Sequence, residues 1–116
     1  MLKTITVVSA LALVSAGAAL AHHGWGSYDA AHPVTVSGPI QTLKYENPHA
    51  LITVKGTDKV WTVTLAPTFR MDSRGATQKV VAIGKTVQAY GYPSNVEKDE
   101  MRAEWIQIDG KKYELR

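Results

Sequence analysis

The sequence predicts a mainly β protein, a small OB-like Greek-key β-barrel of five to six strands with one short helix between strands 3 and 4. Three observations predict it. From Val34 onward, short runs alternate apolar and polar residues, the period of a half-buried strand. Turns rich in Gly, Pro, Asn and Asp separate the runs at short intervals. The one segment with helical punctuation, Pro67 to Gly75, follows the third run. Three strands, a helix and two further strands is the order of a five-stranded OB barrel. A small sandwich of the kind copper carriers use, with the segment 66–84 as a crossover, is the competing architecture.

Each element has its own warrant. Val34, Val36, Gly38 and Ile40 share one face and Leu43 and Tyr45 take the other, so the first strand is long, with a bulge or bend near Gly38-Pro39. Asn47-Pro48 is a turn signal. Ile52 and Val54 mark the second strand, Gly56 to Lys59 a hairpin, and Trp61, Val63 and Leu65 the third strand. Pro67 fits the first helical position, and Thr68 to Arg74 before Gly75 forms a short helix with Phe69 and Met71 as its large apolar members. Val80, Val81 and Ile83 lead to a Gly84-Lys85 turn, and Val87, Ala89 and Gly91 alternate in a fourth strand ending at Pro93. Ser94 to Glu100 reads as a polar loop of solvated charge. The fifth strand runs from about Arg102 to Ile108 with Ile106 and Ile108 inward, and Asp109-Gly110 is a two-residue hairpin signal into a last strand, Lys111 to Leu115.

A chain of 116 residues holds one such domain. It divides into a signal peptide at 1–21, an N-terminal arm at 22–33 with two glycines and a proline, and the barrel at 34–116. The first segment carries Lys3, an apolar core from Ile5 to Val14 and the small-residue close Ala19-Leu20-Ala21. This is the three-part pattern of a cleavable secretory signal, and its core is too short to cross a bilayer of about 30 Å. The expected cut after Ala21 places the protein in the periplasm or outside the cell, with no membrane span remaining.

Composition narrows the chemistry. With no cysteine, disulfides, thiolate metal sites and Cys nucleophiles are excluded. The net charge of +3 is spread over scattered Lys and Arg residues, which argues against a nucleic-acid partner. No nucleophile elbow, His-Glu-x-x-His helix or phosphate loop is present, so no enzyme activity is expected.

All four histidines, His22, His23, His32 and His49, lie between positions 22 and 49. Cleavage after Ala21 would free the amine of His22 beside two imidazoles, and the Asn47-Pro48 turn is placed to bring His49 toward the arm. An amine with imidazoles suits Cu(II), which prefers tetragonal nitrogen ligands. Zn(II), the second choice, would take the imidazoles tetrahedrally with Asp29 as a carboxylate partner. His32 is a reserve ligand. Equally, the histidines are consistent with no metal at all: a tolerated terminus, a loop residue and a strand-edge side chain. The rival site is an aromatic face of Tyr90, Tyr92 and Trp105, which would bind a small ligand or a periplasmic partner protein without metal.

Several motifs also match a pattern. His22-His23 after Ala-Leu-Ala, Tyr28-Asp29, Gly38, Glu46-Asn47-Pro48-His49, Trp61-Thr62-Val63, the run from Gly84 to Pro93 and the Ile-Asp-Gly-Lys close together resemble an uncharacterised family of small exported bacterial proteins. The resemblance covers essentially the whole chain after the signal. It implies an OB-type barrel and a candidate site of His22, His23 and His49, without His32, and it implies no activity. Lys85 departs from it, where an acidic residue is more usual.

Overall fold

In the computed structural model, residues 24–116 are described; the predicted signal peptide, His22 and His23 lie outside them. Strand β1 (Val34–Lys44) is long enough to serve two partners. Its first half pairs antiparallel with β4 (Thr86–Pro93), from Val34 opposite Gly91 to Pro39 opposite Thr86. Its second half pairs with β2 (Leu51–Lys55), from Ile40 opposite Val54 to Lys44 opposite Leu51. The change of phase falls between Ile40 and Thr42, slightly later than the Gly38-Pro39 position the sequence suggests. Gly38 serves instead to let β1 approach β2, because a Cβ there would overlap the carbonyl oxygen of Lys55.

β2 continues antiparallel into β3 (Val60–Thr64), and β3 then pairs parallel with β5 (Glu100–Ile108), Thr62 opposite Glu100 and Thr64 opposite Arg102. β5 pairs antiparallel with β4, which closes the cycle β1-β2-β3-β5-β4. β6 (Lys111–Glu114) adds to β5 outside the closed barrel, across the Asp109-Gly110 turn. In that turn Asp109 and Gly110 both take positive φ, as this tight hairpin requires.

The single helix α1 (Thr68–Ser73) lies between β3 and β4 as expected. Pro67 corrects one detail: it occupies the cap, with extended ψ, and the helix begins at Thr68. Met71 is fully buried, whereas Phe69 is exposed, so one apolar anchor holds the helix and not two. Inside the barrel, Ile52, Val54, Val63, Val87, Ala89, Met101, Ile106 and Ile108 are essentially inaccessible. Each large aliphatic among them contributes about 1.5–3 kcal/mol through burial. Glu100 corrects the predicted loop: β5 starts there, two residues before the expected point, because its backbone and side chain join the sheet and the arm.

Candidate functional site

Pairing alternates side chains across β5, so Met101 enters the core while Glu100 and Arg102 face outward beside Thr62 and Thr64 of β3. Two loops border this outer face. The β1–β2 connection carries Asn47, Pro48 and His49, with a cis bond between Asn47 and Pro48. It is pinned to α1 at two points. Asn47 Oδ1 accepts from the backbone N–H and the hydroxyl of Thr68, each at 3.1 Å, and Tyr45 donates to Asp72 Oδ1 at 2.5 Å. Burial and the Asp72 carboxylate raise the pKa of Tyr45. The opposite β4–β5 loop is organised by Ser94, whose hydroxyl accepts from the N–H groups of Val96 and Glu97.

The arm covers the third side. Trp25–Ser27 form a single 3-10 turn, Tyr28 bridges to Ser94, the Asp29 N–H donates to the Pro93 carbonyl at 2.9 Å, and the Asn95 N–H donates to the Ser27 carbonyl at 2.9 Å. The guanidinium carbons of Arg102 and Arg116 lie 4.0 and 4.6 Å from the Trp25 ring centre, so two cations hold the indole in place. Tyr28 extends from this turn and donates its phenol proton to Glu100 Oε2 at 2.6 Å; Thr64 donates to the same oxygen at 2.6 Å.

A cleft of about 290 Å³ remains between the two loops and the arm. Its polar groups are Tyr28, His49, Thr64, Ser94, Glu97, Glu100 and Arg102, with Pro48, Leu51 and Val96 as apolar wall. Arg102 Nη2 approaches His49 Nε2 at 3.4 Å; a guanidinium only donates, so Nε2 is the acceptor in that contact. Arg102 is 7% exposed, and burial draws its pKa down. Burial, then the hydrogen bond to Glu100 and its charge, push the Tyr28 phenol up to about 12. Tyr28 therefore stays protonated as the donor that orients Glu100.

The predicted site residues divide. His49 lines the cleft. Asp29 and His32 bond to each other, Oδ2 to Nδ1 at 2.8 Å, on an exposed stretch of the arm. Among the described residues, no three His, Asp or Glu side chains form a set able to hold a metal. Tyr90, Tyr92 and Trp105 do share an outer face, but their rings engage one another and nearby cations. Tyr90 stacks on Trp105 at 5.4 Å, Lys112 Nζ lies 4.4 Å from the Trp105 ring, and Tyr92 packs edge-on against Trp25 while bonding to Glu104. Sequence reasoning missed Thr64, Glu100 and Arg102. The signal lay in the Glu-x-Arg alternation at the start of β5, which a solvated loop does not require.

Fold and cleft together define a small OB-type barrel whose cleft-bearing surface spans β2, β3 and β5 and the loops at its rim. The chain belongs to DUF6152, a family of unknown function, whose profile matches residues 10–102. No curated protein matches it in sequence. Three crystal structures of TiaS are similar in fold. The complex with tRNA and ATP has TM-score 0.51 and 16% identity over 77% of this chain and 20% of that one. The ZRD-deleted mutant with agmatine has TM-score 0.51 and 18% identity over 73% and 24%. The complex with tRNA, AMPCPP and agmatine has TM-score 0.52 and 18% identity over 70% and 19%. The chain thus spans about a fifth to a quarter of the TiaS chains, and at these identities the likeness is one of fold. Among the described residues, no helix is long and apolar enough to cross a membrane.

Proposed function

We propose that the protein is an exported binding module, not an enzyme, that holds a transition metal between His49 and the His22-His23 pair, with copper(II) preferred over zinc. One observation supports the reading: the segment that directly follows the His pair packs on Arg102, the residue that contacts His49. Trp25, two residues after His23, lies 4.0 Å from the Arg102 guanidinium, and Arg102 reaches His49 at 3.4 Å. In sequence His23 lies two residues and His22 three residues before Trp25. Cleavage after Ala21 adds the His22 amine to the donor set, and amine plus imidazoles is a nitrogen-rich field that favours Cu(II) over the other divalent first-row ions. Ligation through His49 Nε2 exchanges that nitrogen's 3.4 Å contact with Arg102 for the metal.

The test is calorimetric titration of Cu(II), then Zn(II), into protein expressed with its signal, with mass spectrometry to identify the terminus. One-to-one binding tighter than about micromolar, lost when His22→Ala and His49→Ala are combined, supports the reading. Weak, multi-site binding, or binding unchanged in that double variant, rejects it.

A further inference from the structure

We infer that β6 is the edge through which two copies of this chain pair. Their last strands run antiparallel about a two-fold axis, with Lys112 of each copy opposite Glu114 of the other. The inference concerns the sheet edge and is independent of the cleft and of the metal reading.

β6 stands at the end of the sheet order and pairs with β5 alone among the described residues. The register decides which of its backbone groups face outward. Across the two-residue Asp109-Gly110 turn, Ile108 and Lys111 form a hydrogen-bonded pair. At the far end the Leu115 N–H donates to the Glu104 carbonyl at 2.8 Å, which keeps the same phase. Alternation between these points turns the N–H and C=O groups of Lys111 and Tyr113 toward β5 and those of Lys112 and Glu114 away from it. Outward groups on alternate residues are the spacing that an added strand requires.

The side chains select the partner. Tyr113 is buried, whereas Lys112 and Glu114 stand half exposed on the outer face with Nζ and Oε1 3.5 Å apart. A lysine on an edge ordinarily deters a foreign strand. A second copy in antiparallel register answers it, because Lys112 then meets Glu114 on both sides of the axis and each pair exchanges two backbone hydrogen bonds. Slipping to the next register that keeps the same face outward sets Lys112 against Lys112, or Glu114 against Glu114, so the charges fix one alignment. Such a contact is isologous and closes at two copies. A strand pair this short buries less than about 1,200 Å², which makes the dimer a weak one, with a Kd between about 10 µM and 1 mM.

The experiment is sedimentation equilibrium of metal-free protein across that concentration range, with amide exchange followed by NMR. Wild type should dimerise. Lys112→Glu places like charges in both pairs, as does Glu114→Lys, and each variant alone should associate at least about tenfold more weakly. Mixing the two variants in equal amounts restores opposite charges at both pairs, so the mixture should dimerise about as well as wild type. Exchange of the Lys112 and Glu114 amides should slow as concentration rises, while that of Lys111 and Tyr113 should not change. A wild type that stays monomeric at about 1 mM, single variants that associate as tightly as wild type, or a mixture that fails to recover would overturn the inference. A monomeric wild type would also mean that an edge of this kind serves a different protein or none.

Discussion

Tyr28 and Glu100 stand 72 residues apart in sequence and share a 2.6 Å hydrogen bond, the link by which the arm and the start of β5 hold each other. Thr64 completes the junction on the same carboxylate oxygen. Three segments distant in sequence, the arm, β3 and β5, are therefore fixed by one carboxylate.

Tyr28→Phe should destabilise the domain by about 1–3 kcal/mol near neutral pH, because it removes a donor from a charged acceptor. The pH dependence follows from the raised pKa of Tyr28. Folding favours the protonated phenol, so its contribution is fully present below about pH 10, the unfolded value, and is lost as pH rises through about 12. Urea unfolding across that alkaline window should show the gap between wild type and Tyr28→Phe closing. A gap that stays constant would mean that the bond does not link the phenol's titration to stability.

Gly91 has the same duty as Gly38, since a Cβ there would overlap the carbonyl of Arg102 across the β4–β5 ladder. Gly38→Ala and Gly91→Ala should each cost about 1–3 kcal/mol or more in denaturant unfolding, as overpacking against rigid backbone does. Gly26, with nothing within 4 Å of its Cβ position, is the control and should tolerate alanine with little change. Equal effects at all three positions would show that backbone freedom, and not close approach, sets the cost.

Much of this fold was legible because its signals are local. The alternation of Val87, Ala89 and Gly91 placed β4, Asp109-Gly110 placed the last hairpin, and Pro67 with Gly75 bracketed the helix. The phase change in β1 was legible in kind, though it falls after Ile40, because the pattern shows that parity shifts and not where the extra residue sits. The site was legible only at His49. The roles of Glu100 and Arg102 depend on the parallel closure of β3 on β5 and on the return of the arm, both non-local pairings. A run of Glu, Lys and Asp looks solvated until something distant covers one of its members.

On the proposed copper reading, Cu(II) affinity should distinguish residues near the cleft from residues that merely share its chemistry. His32→Ala and Asp29→Asn remove a pair whose members bond to each other on the exposed arm, so Cu(II) affinity in calorimetry should stay within about twofold. Trp25→Ala removes the ring held by Arg102 and Arg116, interactions typically worth about 0.5–2 kcal/mol each, and should loosen the arm and weaken Cu(II) binding about tenfold. If His32→Ala proves as damaging as Trp25→Ala, the ligand set is different and His49 is not its centre.

His49 follows Asn47 and Pro48 in the turn, and Asn47 reaches out of it to cap the helix at Thr68. Asn47→Ala removes the acceptor for two donors and should cost about 0.5–2 kcal/mol, the range of a lost helix cap. The effect should reach His49, because the turn that carries it loses one of its two ties to α1 while the Tyr45–Asp72 bond remains. Asn47→Asp keeps an acceptor oxygen and adds negative charge at a helix start, so it should restore both stability and the His49 amide shift in NMR. A His49 shift unchanged in Asn47→Ala would show that Tyr45 and the cleft contacts suffice to hold the imidazole, and that the cap serves the helix alone.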